Sequence, residues 1–226
     1  ARKLHAAVHA EAASDFGEDA EDIQQLDICL GALQQCADRC QQAHIKMLRD
    51  LYKKLRLRLV SRLDTLSGSN SPVKYELDEE TLARSEECDP FKIDILGGIQ
   101  LILEPYQLSL SPQSAHILMS QAANLLASEL LSRSRRRRFN QIGSIKFDTD
   151  IRAVINFFTT RCGSSLRAPF RKLTEMAFVV TMETVADVEE AWNDGALVHL
   201  MPAEVKNLLS IRSDFDPQRV AAARIV

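Results

Sequence analysis

Residues 23–66 read IQQLDICLGALQQCADRCQQAHIKMLRDLYKKLRLRLVSRLDTL. Apolar or small side chains recur from Ile23 to Leu51 in alternating steps of three and four, as one face of an α-helix requires. The apolar seam then shifts by one residue and continues on three leucines spaced four apart, Leu55, Leu59 and Leu63. Lysines and arginines occupy the opposite face of this part of the helix. The pattern predicts a long amphipathic helix that continues to about Leu66.

The composition favours the same class of fold along the whole chain. Of the 226 residues, 46% are hydrophobic and 26% charged, as in globular proteins, and only eight are glycine and seven proline. Few turn-forming residues, together with abundant leucine, alanine, glutamate and arginine, favour helix over a turn-rich β architecture. We therefore predict an all-α protein built as an elongated bundle of long helices followed by a small helical domain.

Charge and cysteine content narrow the classes of function. A formal net charge of −3 argues against a nucleic-acid-binding protein, which needs a large cationic surface. Five cysteines, an odd number set mostly in helical patterns, argue against a secreted disulfide framework. No apolar stretch approaches the ~20 residues that span a bilayer, and the first residues resemble no signal peptide. We expect a soluble piece of a longer chain in a reducing compartment.

Breaker residues and caps divide the remainder of the chain. We predict a flexible loop over about 67–89, with at most one short helix from Asp78 to Glu86. Pattern alone leaves residues 91–110 open between strand and helix, because Gly97-Gly98 and Pro105 weaken a helix. Ser111-Pro112 is typical of a helix start.

A second group of helices follows the arginine run at 133–138. Gly143 reads as a break, and Asp148 as the cap of the next helix. Further helices are predicted up to Asn193-Asp194-Gly195, then from Pro202, and finally from Asp216-Pro217. These signals predict two domains, a helical bundle at 1–138 and a small helical domain at 139–226.

Residue patterns that carry chemistry are weak in this sequence. Cys36, Cys40 and His44 lie four residues apart on one helical face and could contact one metal ion, which keeps a helical metal-binding protein as an alternative. The same positions belong to the apolar seam, so core packing is the simpler interpretation. Catalytic signatures such as G-x-S-x-G and H-E-x-x-H are absent, and Gly97-Gly98 lacks the spacing of a phosphate-binding loop. We predict no enzyme activity and no cofactor.

Two surface features remain as candidates for binding. The arginine run comprises Arg133, Arg135, Arg136, Arg137 and Arg138. It either interacts with the dipole at the end of its helix or contacts anionic lipid or an acidic partner. Trp192, the single tryptophan, either packs in a small core or anchors an interface.

Four separated blocks of the C-terminal region form a recognisable pattern. They are FNQIGSIKFDTDIRAVINFFT from Phe139, FRKLTEMAFVV from Phe170, ETVADVEEAW from Glu183 and PAEVKNLLSIRSDF from Pro202. Together they resemble one family, subunit 4 of the conserved oligomeric Golgi complex. They occur in the family's order. The segments LDICLGALQQCA, DPFKIDIL and SLSP are similar more loosely.

The resemblance implies a helical-rod architecture and favours helix for residues 91–110. It implies a non-catalytic subunit that tethers vesicles at the cytosolic face of Golgi membranes, peripheral to the membrane and otherwise cytoplasmic, in the retrograde recycling of glycosylation enzymes. The implied partners are the other subunits of the complex and Golgi SNAREs with their regulators. A subunit of another tethering complex, such as exocyst, is the alternative.

One ion pair is expected between two terminal helices. Glu204 lies in the first turn of its predicted helix, where the helix dipole favours a carboxylate, and we expect it to pair with Lys172 or Arg171. The family usually has arginine at Lys172 and a threonine at Met201, so this chain departs from the family pattern at both places.

Overall fold

The computed structural model describes residues 20–66, 71, 73–162 and 164–225. The chain divides into two compact units, Ala1–Leu51 and Tyr52–Val226. In the described residues all regular elements are helical, and the one β-type contact is an isolated bridge between Phe139 and Arg212. The predicted all-α class is confirmed.

Nine α-helices occur in the described residues, which we number in chain order. They are α1 Ala20–Asp64, α2 Glu79–Glu87, α3 Gly97–Ser109, α4 Pro112–Ser134, α5 Gln141–Cys162, α6 Arg171–Thr181, α7 Val185–Asn193, α8 Pro202–Ser210 and α9 Pro217–Ala222. A π-helical turn at Phe91–Leu96 leads into α3, and a 3₁₀ segment at Ser164–Phe170 leads into α6.

The predicted long helix is present as α1. In the second unit its leucine seam is fully buried: Leu55, Leu59 and Leu63. In the first unit the described side chains of the seam are mostly exposed, and Leu33 is 66% exposed. The helical period of the sequence therefore identified the helix, while burial varies along its length.

The ambiguous segment at residues 91–110 is helical. Its buried side chains recur every fourth residue and form one apolar stripe: Phe91, Ile95, Ile99 and Leu103. This spacing places all four on one helical face, since residues four apart lie above one another. The π-helical turn at Phe91–Leu96 ends directly before Gly97-Gly98, where the regular α-helix α3 begins.

The predicted flexible loop is ordered in its described part. Val73, Tyr75 and Leu77 alternate with exposed residues and are buried, with 4–7% exposure. Asn140 holds this segment in place, because the Leu77 N–H donates to its side-chain oxygen at 3.2 Å and its side-chain N–H donates to the Leu77 carbonyl at 2.6 Å. Asp78 then caps α2 by accepting from the Thr81 N–H at 2.7 Å. Residues 73–77 are therefore packed against the protein and not a free loop, while the short helix predicted from Asp78 to Glu86 is present as α2. Residues 67–70 and 72 lie outside the described residues.

The helix α5 begins before Gly143, so the prediction of a break there and of a cap at Asp148 is wrong. Asn140 is the cap, since its side-chain oxygen accepts from the Gly143 N–H at 2.9 Å. Gly143 lies where the backbone of Tyr75 crosses the helix, and a Cβ added there would be 1.7 Å from the Tyr75 carbonyl oxygen. The glycine marks this close approach of two backbones and does not end a helix.

We expect Gly143→Ala to destabilise the second unit by an amount at the upper end of roughly 1–3 kcal/mol, because the clash is with backbone that cannot rotate away. The matched control is Gly97→Ala, whose added Cβ would meet only the Lys92 carbonyl oxygen at an ordinary 3.6 Å. Urea denaturation of both variants measures the effect. Equal stability of the two variants would contradict the close approach.

An aromatic cluster crosses the predicted domain boundary at residues 138 and 139. The Tyr75 and Phe139 rings stack with centroids 5.2 Å apart, and both meet Phe147 edge-on at 5.1 Å. All three side chains are buried. The boundary predicted from sequence therefore lies inside the second compact unit, and the division of the chain falls at Leu51 instead.

The predicted terminal helices are present as α6 to α9. Thr184 forms a capping box with Asp187 at the start of α7, and Gly195 follows its end with φ of +71°. Pro202 and Pro217 occupy the first turns of α8 and α9. These local signals specified the helix ends correctly. The capping box and the prolines satisfy or remove an unpaired N–H group at a helix start, and the glycine permits the positive φ that follows a helix end.

Candidate functional site

The arginine run forms the end of α4 and the turn after it, residues 133–138, which we call the arginine turn. Arg133 lies at the C-terminal end of α4 and faces the end of α1. Its guanidinium contacts Asp64 at 2.9 Å and Glu129 at 3.2 Å, and it donates to the Leu63 carbonyl at 3.1 Å. Arg133 thus fastens α4 to α1.

Glu204 joins the arginine turn to the terminal helices. Its Oε1 atom lies 2.8 Å from the Lys172 ammonium, which is the pair expected from sequence, and 2.6 Å from the Arg135 guanidinium, which was not expected. Its Oε2 atom accepts from the Met201 N–H at 2.9 Å. Arg171, the other expected partner, is exposed.

The contacts of Glu204 stabilise its charged form. Partial burial raises the pKa of Glu204, but hydrogen bonds from Lys172, the Met201 N–H and Arg135 outweigh burial and bring the pKa down to about 2. Met201 carries no capping hydroxyl, so Glu204 supplies the side-chain hydrogen bond at this helix start.

We expect Glu204→Ala to lower the free energy of unfolding by about 1–2 kcal/mol near neutral pH, through loss of the cap and of two partly exposed ion pairs. Because the folded pKa lies below the unfolded value of about 4.3, this stability is present above pH ~4.3 and is lost as pH falls towards 2. Urea titrations of wild type and variant across this window measure it, with exposed Glu183→Ala as the control. A difference that does not change with pH would contradict the role of the charge.

The other arginines of the turn divide into one that is engaged and two that are exposed. Arg137 donates to the Val73 carbonyl at 2.5 Å and to the Ser71 hydroxyl at 3.1 Å, and lies over the Tyr75 ring at 5.5 Å. Arg136 and Arg138 are exposed. Several members of the run, for which the sequence left a dipole contact and a lipid or acidic-partner contact open, therefore make internal contacts.

A buried charged network lies behind the aromatic cluster. The Lys146 ammonium contacts both oxygens of Asp89 at 3.1 Å and also Asp150, and the Tyr75 hydroxyl donates to Asp150 at 3.0 Å. Burial raises the pKa of Asp150 to about 6, against the opposing charge of Lys146. For Asp89, hydrogen bonds and the Lys146 charge outweigh burial and lower its pKa. Lys92 approaches Asp89 from the solvent side at 3.3 Å.

Arg212 is the most extensively bonded buried cation in the described residues. Its guanidinium donates to Asp214 twice, at 2.7 and 2.8 Å, to Gln141 at 2.7 Å, to the Met182 carbonyl at 2.9 Å and to the Val180 carbonyl. All five of its N–H donors are therefore used. It ties the segment after α8 to the start of α5 and the end of α6.

A sequence model described as "Conserved oligomeric Golgi complex subunit 4, C-terminal" matches residues 3–207 of the chain. The chain belongs to this family. The match includes the arginine turn, Lys172 and Glu204, and ends before Arg212.

Curated relatives named conserved oligomeric Golgi complex subunit 4 come from distant lineages. The Arabidopsis thaliana relative is 25% identical over 207 residues, which is 90% of this chain and 28% of the relative. The Homo sapiens relative is 29% identical over 156 residues, 68% of this chain and 20% of the relative. The Dictyostelium discoideum relative is 24% identical over 185 residues, 80% of this chain and 20% of the relative. The chain thus spans between a fifth and three tenths of these proteins.

The family membership disfavours the alternative of an exocyst subunit, since the family model and these relatives all carry the Golgi name. For the metal-binding alternative, Cys36, Cys40 and His44 are exposed on α1. Within the described ranges no three His, Cys, Asp or Glu side chains are grouped to hold a metal ion.

The remaining candidate, Trp192, is half-buried near the end of α7 and packs against the hydrophobic core. Among the described helices, none combines the length and the apolar character that crossing a membrane requires. Sequence reasoning missed the pairing of Arg135 with Glu204, the Lys146 network and Arg212, because each depends on side chains that are far apart in the chain. The one local hint was the spacing of Arg212 and Asp214, two residues apart between helices.

Proposed function

We propose that the chain forms part of a non-catalytic subunit of a vesicle-tethering complex at the cytosolic face of Golgi membranes. In this proposal the subunit acts in retrograde intra-Golgi transport and so supports glycosylation. The observation that carries the proposal is the match of residues 3–207 to the family, whose relatives are named as subunits of the conserved oligomeric Golgi complex.

The internal contacts of the chain are consistent with a scaffold. Its charged clusters stabilise helix junctions: Arg133 joins α1 to α4, and Glu204 joins the arginine turn to α6 and α8. Rigid helical surfaces of this kind suit binding of other helical proteins. The proposed partners are the other subunits of the complex and Golgi SNAREs with their regulators, and the membrane association is peripheral.

Affinity purification of the whole protein from its own cells, followed by mass spectrometry, tests the proposal. We expect recovery of other subunits of the Golgi complex and of Golgi SNAREs. A matched purification uses the protein from which the residues of this chain have been removed. Partners that are lost from this second purification are those whose binding depends on the chain. Recovery of exocyst subunits in place of Golgi partners would overturn the proposal.

Glycosylation provides a separate functional test. Cells depleted of the whole protein are complemented with wild type or with the truncated protein, and surface glycans are measured by lectin binding in flow cytometry. We expect wild type to restore the glycans and the truncated protein to fail at equal expression. Normal glycans in the depleted cells would contradict a role in recycling of glycosylation enzymes.

A further inference from the structure

A cavity of about 830 Å³ opens beside the arginine turn. One wall is the end of α4 with the turn, and the other is the segment at residues 73–76, which includes Lys74 and Glu76. This volume lies within the range of roughly 300–1,000 Å³ typical of small-ligand sites. The cavity is therefore large enough for a compact ligand larger than a single small ion.

The cavity is cationic in a chain that is acidic. Five cationic side chains and three carboxylates line it, while the chain as a whole carries a formal charge of −3. Two of the carboxylates, Asp64 and Glu129, already contact Arg133. The excess positive charge is thus concentrated in one concave place, where it attracts anions most strongly.

Three of the cations are available to a ligand. Among the described residues, no carboxylate lies within ion-pair distance of Lys74, Arg136 or Arg138, and all three are exposed. They come from both walls of the cavity. Arg137, held by Val73 and Ser71, adds a cation whose position is fixed.

We propose that this cavity binds a phosphorylated inositol ring, free or as a lipid headgroup. A compact ring with several phosphates can contact cations on both walls at once, which a single phosphate cannot, and arginines bind phosphate through two parallel hydrogen bonds. A compact polyanion suits the cavity better than an extended phosphopeptide, because the cations are grouped around one concave place and are not spaced along a groove. The site is independent of the function proposed above.

Isothermal titration calorimetry of the purified chain with inositol hexakisphosphate tests the proposal. We expect saturable binding that weakens with added salt, and a loss of roughly 30-fold in affinity for the double variant R136Q/R138Q. The single variant K74Q, on the opposite wall, is expected to lose about fivefold. Thermal melts followed by circular dichroism check that these exposed substitutions leave the fold intact.

The matched control is R167Q/R171Q, which removes the same charge from two exposed arginines outside the cavity. We expect its affinity to stay within about twofold of wild type. No binding by wild type, or an equal loss in the control and the cavity variants, would overturn the proposal. Tighter binding of a doubly phosphorylated peptide than of inositol hexakisphosphate would overturn it in favour of a peptide site.

Vesicle flotation distinguishes the two sources of the ligand. Phosphatidylcholine vesicles with added phosphatidylinositol bisphosphate are compared with vesicles of equal charge made with phosphatidylserine. Preferential flotation with the phosphoinositide, lost in R136Q/R138Q and retained in R167Q/R171Q, supports a lipid headgroup. Soluble binding without flotation supports a free inositol phosphate.

Discussion

Replacing Lys146 by methionine is expected to lower the free energy of unfolding by about 3–5 kcal/mol, because it leaves Asp150 buried without a cation and removes the buried ammonium from Asp89. The Asp150 side chain is fully buried, and those of Lys146 and Asp89 are 10% exposed. Methionine preserves most of the volume, so the effect measures lost charge and hydrogen bonds. Urea denaturation of the chain gives the value.

The matched control for Lys146 is Lys92→Met, which removes a lysine that contacts the same Asp89 from the solvent side. The Lys92 side chain is 53% exposed, so we expect a change within about 1 kcal/mol. Similar effects of the two substitutions would contradict the assignment of the stabilisation to the buried ammonium.

The pH dependence gives the Lys146 variant a second signature. Burial already raises the pKa of Asp150 to about 6 in the folded wild type. Without the ammonium, we expect the pKa of Asp150 to rise further and that of Asp89 to rise above its unfolded value of about 3.9. A carboxyl whose folded pKa is raised in this way stabilises the folded protein below pH ~3.9, and this stabilisation is lost as pH rises through the folded pKa. The deficit of Lys146→Met relative to wild type should therefore shrink as pH falls from 7 towards 4. A constant deficit would contradict the prediction.

Replacing Arg212 by methionine is expected to lower the free energy of unfolding by about 3–5 kcal/mol as well. The Arg212 side chain is 1% exposed, and its removal leaves Gln141 and two backbone carbonyls without their donor. It also removes the cation that holds the pKa of Asp214 below its ordinary value. Urea denaturation measures the loss.

Two further variants separate the geometry of Arg212 from its charge. Arg212→Lys keeps the charge but cannot supply five donors in one plane, so we expect it to recover only part of the loss. Arg219→Met, on the exposed face of α9, is expected to change stability by less than about 0.5 kcal/mol. Full recovery by lysine would show that charge alone matters at this position.

Much of the fold was predictable because helix signals are local. The four-residue spacing of Leu55, Leu59 and Leu63, and prolines such as Pro202 and Pro217, depend only on neighbouring residues. The same local reasoning failed at Gly143. A glycine that permits a close approach and a glycine that ends a helix look alike until the crossing backbone of Tyr75 is known.

The candidate sites were predictable only in part. The Glu204–Lys172 pair was expected from the resemblance and the helix dipole, and its geometry is present at 2.8 Å. The addition of Arg135 depends on the path of the chain after α4, which brings a residue 69 positions away to the same carboxylate. A basic run in sequence does not reveal which of its members are engaged internally.

The sequence by itself determined the helical class, most helix ends and the family, because periodicity, caps and ordered motif blocks are properties of short segments. The tertiary structure alone decided where the compact units divide, which arginines remain exposed, and how Lys146 and Arg212 are paired. Those outcomes depend on contacts between residues far apart in the chain. The energies of these contacts arise from burial and from the pairing of hydrogen-bond donors with acceptors that belong to distant segments of the chain.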